Sequence, residues 1–162
     1  MTKELLFSLL LFNAEPDPAL ADNTYSIQDV ACLAQNIYFE ARDQNIIGQI
    51  AVAHVTINRV KDTRFPNNIC SVVKQGYIKG RRDCQFSWYC DGKSDIMYEK
   101  QEKQIAFDIA KHTLKGRFVD VTQGATHYHS RQVNPWWAKA LTKVGIIEDH
   151  IFYRWESTKV AK

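Results

Sequence analysis

The chain is 162 residues long, 45% hydrophobic, 12% aromatic and 24% charged, a balance that fits one compact domain able to bury roughly two-thirds of its unfolded surface. Its 21 lysines and arginines against 18 acids give a formal +3, mildly basic and without the cationic run of a nucleic-acid arm. No apolar stretch reaches the roughly twenty residues of a membrane-crossing helix, and seven glycines with four prolines exclude collagen-like or low-complexity chain.

Residues Leu5 to Phe12 read LLFSLLLF, followed by Pro16, Pro18 and then Ala19-Leu20-Ala21 before Asp22. An apolar core of this length with an A-x-A site predicts a signal peptide over residues 1–21 and a domain over 22–162. The segment before the core is a poor match, because Glu4 cancels Lys3. The alternative is an apolar segment docked on the domain or on a partner. Export to the periplasm or cell envelope suits the four cysteines, Cys32, Cys70, Cys84 and Cys90, which allow three pairings. Cys84 and Cys90 are close enough in sequence to staple a hairpin, while Cys32 on an apolar stretch also reads as a buried free thiol.

Along the domain, Ser26 and Asp29 resemble a capping box. Ile27, Val30, Ala31, Ala34, Ile37, Tyr38 and Ala41 then recur at helical spacing, predicting a helix to about Asp43. Gly48 opens a second helix, apolar almost all round and therefore buried. Pro66 starts a short helix through Lys74, and Gly76 to Asp83 is a basic loop. Gln85 to Tyr89 reads as an aromatic-rich extended segment. Ser94 caps a helix from Asp95 to Leu114, which Gly116 ends. Gly124 to Ser130 reads as a strand, Asn134-Pro135 as the cap and first turn of a helix over WWAKAL, and His150 to Trp155 as a last strand. Helices dominate with a few short strands: a single α+β domain.

Glu40 sits beside the apolar stripe of the first helix, between Phe39 and Ala41. A carboxyl group against aromatic surface loses hydration when ionised, so its pKa rises and it stays protonated as a general acid. A solvated surface glutamate is the plainer reading of the spacing alone.

The ordered set of segments adds to this. NIYFEAR at Asn36–Arg42 comes first, then GQIAVAHVTINRV at Gly48–Val60, Phe65-Pro66 and Val72–Gln75. Gln85-Phe86-Ser87, Gly124-Ala125-Thr126 and His150-Ile151-Phe152 follow. Together, across roughly Gln28 to Tyr153, they resemble the cell-wall hydrolase family of the spore-cortex-lytic enzymes, also met in bacteriophage and Gram-negative genomes. The resemblance implies a lysozyme-like α+β fold, peptidoglycan glycan strands as substrate, and Glu40 as the catalytic acid. It further implies a lytic transglycosylase, in which one glutamate serves as acid and then base. Asp43, Asp83 and Asp91 remain candidates for the second carboxylate of a hydrolysing muramidase.

Sugar polymers are held by aromatic faces with amides and hydroxyls. The expected contacts are Gln85, Phe86, Ser87, Thr126, His127, Tyr128, His129, Asn134 and Trp136. On an extended segment Phe86 and Trp88 share one face and Gln85, Ser87 and Tyr89 the other, so one set lines the groove and the other fills the core. His127 and His129 project together from their strand, and with His150 they suggest a rival zinc amidase or peptidase. In spore-enzyme relatives this segment reads more like GATYFYN, so the two histidines depart from the family pattern. No cofactor, nucleic acid or stable membrane insertion is expected, and a monomer is. A wall-binding or virion structural module without chemistry is the third alternative.

Overall fold

The computed structural model describes residues 25–156; the signal peptide expected over residues 1–21 lies outside them. Among the described residues no helix is long and apolar enough to cross a membrane.

Helix α1 spans Ile27–Ala41. The Ser26 hydroxyl accepts from the Asp29 amide at 3.1 Å and the Asp29 carboxylate from the Ser26 amide at 3.0 Å, the reciprocal capping box expected. The helix stops at Ala41 rather than Asp43, because the Gln44 amide turns back onto the Ala41 carbonyl. Helix α2, Ile46–Lys61, starts two residues before Gly48, since the Asn45 side chain accepts from the Gly48 amide at 3.0 Å. A Cβ at Gly48 would approach Gln44 Cβ to 2.9 Å, so glycine is what lets the α1–α2 corner close. Helix α2 is enclosed nearly all round, down to His54 and Arg59.

Helix α3, Ile69–Val73, begins at the Asn68 cap instead of Pro66. The segment expected to be extended at Gln85–Tyr89 is instead a 3-10 turn over Ser87–Cys90. The reason is covalent: Cys84 and Cys90 are disulfide-bonded with Cα atoms 6.0 Å apart, whereas six extended residues would span about 20 Å. A second disulfide, Cys32–Cys70, ties α1 to α3 and removes the free-thiol reading of Cys32. Helix α4 spans Lys100–Leu114, starting five residues after Asp95. The Ser94 hydroxyl accepts from the nearby Ile96 amide and pairs with the Tyr98 hydroxyl instead of capping the helix, while the Glu99 amide donates to the Tyr38 hydroxyl.

Strands β1 (His127–Ser130), β2 (Thr142–Ile147) and β3 (His150–Arg154) form an antiparallel sheet ordered β1-β3-β2. Strand β2 has no counterpart in the sequence reading. The helix expected over WWAKAL is a single 3-10 turn, Trp136–Ala140, and Asn134 does not cap it. Strand β3 offers ladder groups on both edges, and the chain beyond Leu141 satisfies the second edge as β2.

The main core joins α1, α2, α3 and α4 through Leu33, Ile37, Tyr38, Ile57, Ile69 and Ile109. A smaller cluster, Ala51, Val55, Ala125 and Phe152, seats the sheet on α2. One buried polar chain crosses the main core: Trp88 Nε1 donates to Asn36 Oδ1 at 2.9 Å, and Asn36 Nδ2 donates to Thr56 Oγ1 at 3.2 Å. It satisfies three buried polar groups at once and fixes the indole against which Phe39 stacks at 4.7 Å.

Candidate active site

The last turn of α1 places Phe39 and Glu40 on adjacent faces, about 100° apart. Phe39 turns to Trp88 and Tyr38, which points Glu40 toward the sheet. There the Tyr128 hydroxyl donates to Glu40 Oε2 at 2.6 Å, a short charge-assisted bond when the carboxyl is ionised. Glu40 also opens onto a cleft of about 460 Å³ with Asp43, Gln44, Ser130, Arg131, Gln132, Asp149 and His150.

Burial is the largest influence on Glu40 and raises its pKa above the usual glutamate value; the Tyr128 hydrogen bond and the Arg59 charge oppose it. Burial thus favours the protonated form of a carboxyl that already has one oxygen bonded to a phenol. Tyr128 itself is pushed up by burial and by Glu40, so its proton stays in place as the donor.

The β2–β3 turn is clamped to the α1–α2 corner. Gln44 Nε2 donates to Asp149 Oδ2 at 3.2 Å, Gln44 Oε1 accepts from the Asp149 amide at 3.2 Å, and Asn45 Nδ2 donates to Glu148 Oε1 at 2.5 Å. One wall of the cleft is thereby held in place.

Of the nine substrate contacts expected from sequence, Tyr128 reaches Glu40 directly, and the others do not line this cleft. Phe86 is buried, with its ring under the Arg59 guanidinium, so it supports the site from behind rather than meeting a ligand. Gln85 and Ser87 are exposed at the 3-10 turn, Asn134 is exposed in its loop, and Trp136 stands 86% exposed. Thr126 is buried, and its carbonyl accepts from Arg59. His127 and His129 do share a face, both packing against Trp137. His150 faces the other way, against Tyr128, so the three rings do not converge. His129 has both ring nitrogens bonded, to the Ser130 carbonyl and the Tyr153 hydroxyl. Desolvation, then the Arg59 and Arg64 charges, lowers the His127 pKa to about 4. Among the described residues no cluster of histidine, cysteine or acidic side chains is arranged to hold a metal.

The carboxylate candidates separate too. Asp43 borders the cleft, Asp91 lies in a different pocket beside Phe39 and Arg42, and Asp83 is ion-paired with Arg81. Asp149, a cleft carboxylate, was not signalled by the sequence. Neither were Gln44, Arg131 or Gln132, and Arg59 was passed over. For Arg59 a signal existed: a lone arginine at the end of a helix apolar on every side must be buried or must end the helix.

Four helices flanking a small three-stranded sheet, with one enclosed glutamate at the helix–sheet junction, form a lysozyme-like α+β domain. Residues 43–153 match the family model for cell wall hydrolases, and the chain belongs to that family. The match begins just beyond Glu40. A spore cortex-lytic enzyme of Halalkalibacterium halodurans is 29% identical over 129 residues, covering 79% of this chain and 35% of that protein. One from Bacillus cereus is 41% identical over 51 residues, or 32% of this chain and 20% of its own length. The chain thus spans about a third or less of these relatives. Among solved structures, the catalytic domain of the Bacillus cereus SleB protein superposes with a TM-score of 0.63 at 25% identity, covering 85% of this chain and 98% of that domain. The catalytic domain of the germination-specific lytic transglycosylase SleB from Bacillus anthracis gives 0.61 at 26% identity, covering 82% and 98%.

Proposed function

We propose that this chain is a peptidoglycan-degrading lytic transglycosylase with Glu40 as its single acid and base. The observation that carries the reading is the Glu40 carboxyl, its pKa raised by burial, which is open to a polar cleft and bonded to Tyr128. Glu40 protonates the glycosidic oxygen between N-acetylmuramic acid and N-acetylglucosamine, and the bond to the anomeric carbon breaks. As carboxylate it then accepts the proton of the muramic 6-hydroxyl, whose oxygen closes on that carbon. The product is a 1,6-anhydro end; no water is consumed and the proton returns to Glu40. Similarity to a catalytic domain described as a lytic transglycosylase supports this route.

A second reading is favoured by one feature: Asp43 and Asp149 border the same cleft, and either would serve a hydrolysing muramidase as base or nucleophile. Two disulfides support work outside the reducing cytoplasm, which is also what a cleaved segment over residues 1–21 would provide. The self-contained cleft supports action as a monomer.

Digestion of purified sacculi with mass spectrometry of the soluble fragments tests the proposal. Anhydromuramic ends are expected; reducing muramic ends would replace the transglycosylase reading with the muramidase one. Glu40→Gln keeps volume and an acceptor for Tyr128, and should cut lysis by about 10³-fold. Lysis by that variant at the wild-type rate would remove Glu40 from the chemistry.

A further inference from the structure

We propose that Arg59 is a positioning residue for this reaction: the buried counter-charge that Glu40 gains at the moment it gives up its proton. The inference rests on the reading of Glu40 as the acid and adds the group that makes its two roles compatible.

Arg59 is 4% exposed near the end of α2. Its Nε donates to the Thr126 carbonyl at 2.7 Å. The guanidinium carbon lies 5.2 Å from the Phe65 ring centroid and 5.0 Å from that of Phe86, so two aromatic faces hold it. Its Nη1 has no hydrogen-bond partner, and among the described residues no carboxylate stands within ion-pair distance of it. A guanidinium stays charged at any working pH, and a buried charge without an anion is costly. The charges that favour its own charged form are those of Tyr128 and Glu40, and its charge in turn lowers the pKa of His127.

While Glu40 holds its proton, the form that burial favours, Arg59 faces a dipole. When Glu40 protonates the leaving oxygen, the same neighbour becomes an anion inside a low-dielectric pocket, and the attraction strengthens sharply. An interaction weak before proton transfer and strong during it lowers the barrier instead of merely tightening binding. The carboxylate so stabilised is also the base the second half of the cycle needs. Arg59 acts on geometry as well: the carbonyl it grips belongs to Thr126, two residues before the tyrosine that bonds Glu40 Oε2.

The test compares Arg59→Met, Arg59→Gln and Arg59→Lys in the full chain, by rate of sacculus lysis against pH and by ¹³C NMR titration of labelled glutamate carboxyls. The other ionisable groups around Glu40 are Tyr128 on β1, Arg131 after it, Asp43 beyond α1, and Asp149 and His150 at the β2–β3 turn; all are left intact. Without the cation the carboxylate is less favoured. In Met and Gln variants the Glu40 midpoint and the alkaline limb of the rate profile should therefore move up by about one pH unit, a tenfold change in proton affinity. Lysis at the wild-type optimum should fall by about 10²-fold. Arg59→Lys keeps the charge and should hold midpoint and limb near wild type even if its rate falls. A folded neutral variant with an unmoved midpoint overturns the proposal, whatever its rate. So does a lysine variant whose midpoint climbs by about one pH unit, and that measurement decides alone if neither neutral variant folds. Glu40→Gln separates the two levels: if it stays active the reading of Glu40 fails, whereas a dead Glu40→Gln with unshifted Arg59 variants sinks only the role of Arg59.

Discussion

Burial of Glu40 opposes its ionisation, while the Tyr128 hydroxyl and the Arg59 charge favour it, and burial wins. The consequence for stability has a definite sign. Below the ordinary glutamate pKa the group is protonated in folded and unfolded chains alike, and its burial costs little. As pH rises through the raised native value, the fold must hold either a buried charge or a proton the unfolded chain would have released, so stability is lost. Glu40→Gln escapes this loss. Its Tm should match wild type at pH 4 and exceed it by about 3 °C at pH 8, read by thermal denaturation; equal melting at both values would place the wild-type carboxyl in water. Tyr128→Phe tests the short bond. It removes a donor that favours the carboxylate, so the alkaline limb of activity should move to higher pH and the rate should drop about tenfold. An unchanged profile would mean that the phenol only fills space.

At the level of elements, the disulfides and caps explain most departures from periodicity. Helix α1 was legible because Ser26, Asp29 and the apolar stripe agree, whereas Asn45 and Asn68 moved the starts of α2 and α3 by acting as caps that glycine and proline signals had hidden. The Gln85–Tyr89 segment carries strand-like residues, yet a six-residue covalent loop overrides their preference. Strand β2 was invisible because an edge strand with no buried residue, Thr142–Ile147, shows no clean alternation. The Cys32–Cys70 bridge closes a 38-residue separation, for which chain entropy predicts about 4 kcal/mol. Replacing both cysteines by alanine should lower unfolding free energy by that order in urea titration. A loss under 1 kcal/mol would show that α1 and α3 are already held by packing.

For the molecule as a whole, the cleft and the bridges support the proposed reading of a wall-degrading enzyme acting outside the reducing cytoplasm. Because His127, His129 and His150 fail to converge, lysis of sacculi should persist unchanged in excess EDTA; abolition by the chelator would revive the zinc reading. Composition excluded low-complexity chain and offered no membrane-crossing helix, and local pattern with family resemblance pointed to the lysozyme-like α+β fold and to Glu40 as the proposed acid. These were legible because helical periodicity and a short motif are properties of neighbours in the chain. Which residues surround Glu40 was a different matter. Tyr128, Arg59 and Asp149 come from β1, α2 and a hairpin turn, and only the packing of sheet on helix brings them to one carboxyl. The same packing turned Phe86 inward and left Trp136 in solvent. A proton's affinity for Glu40 depends on distances through space that spacing along the chain does not encode.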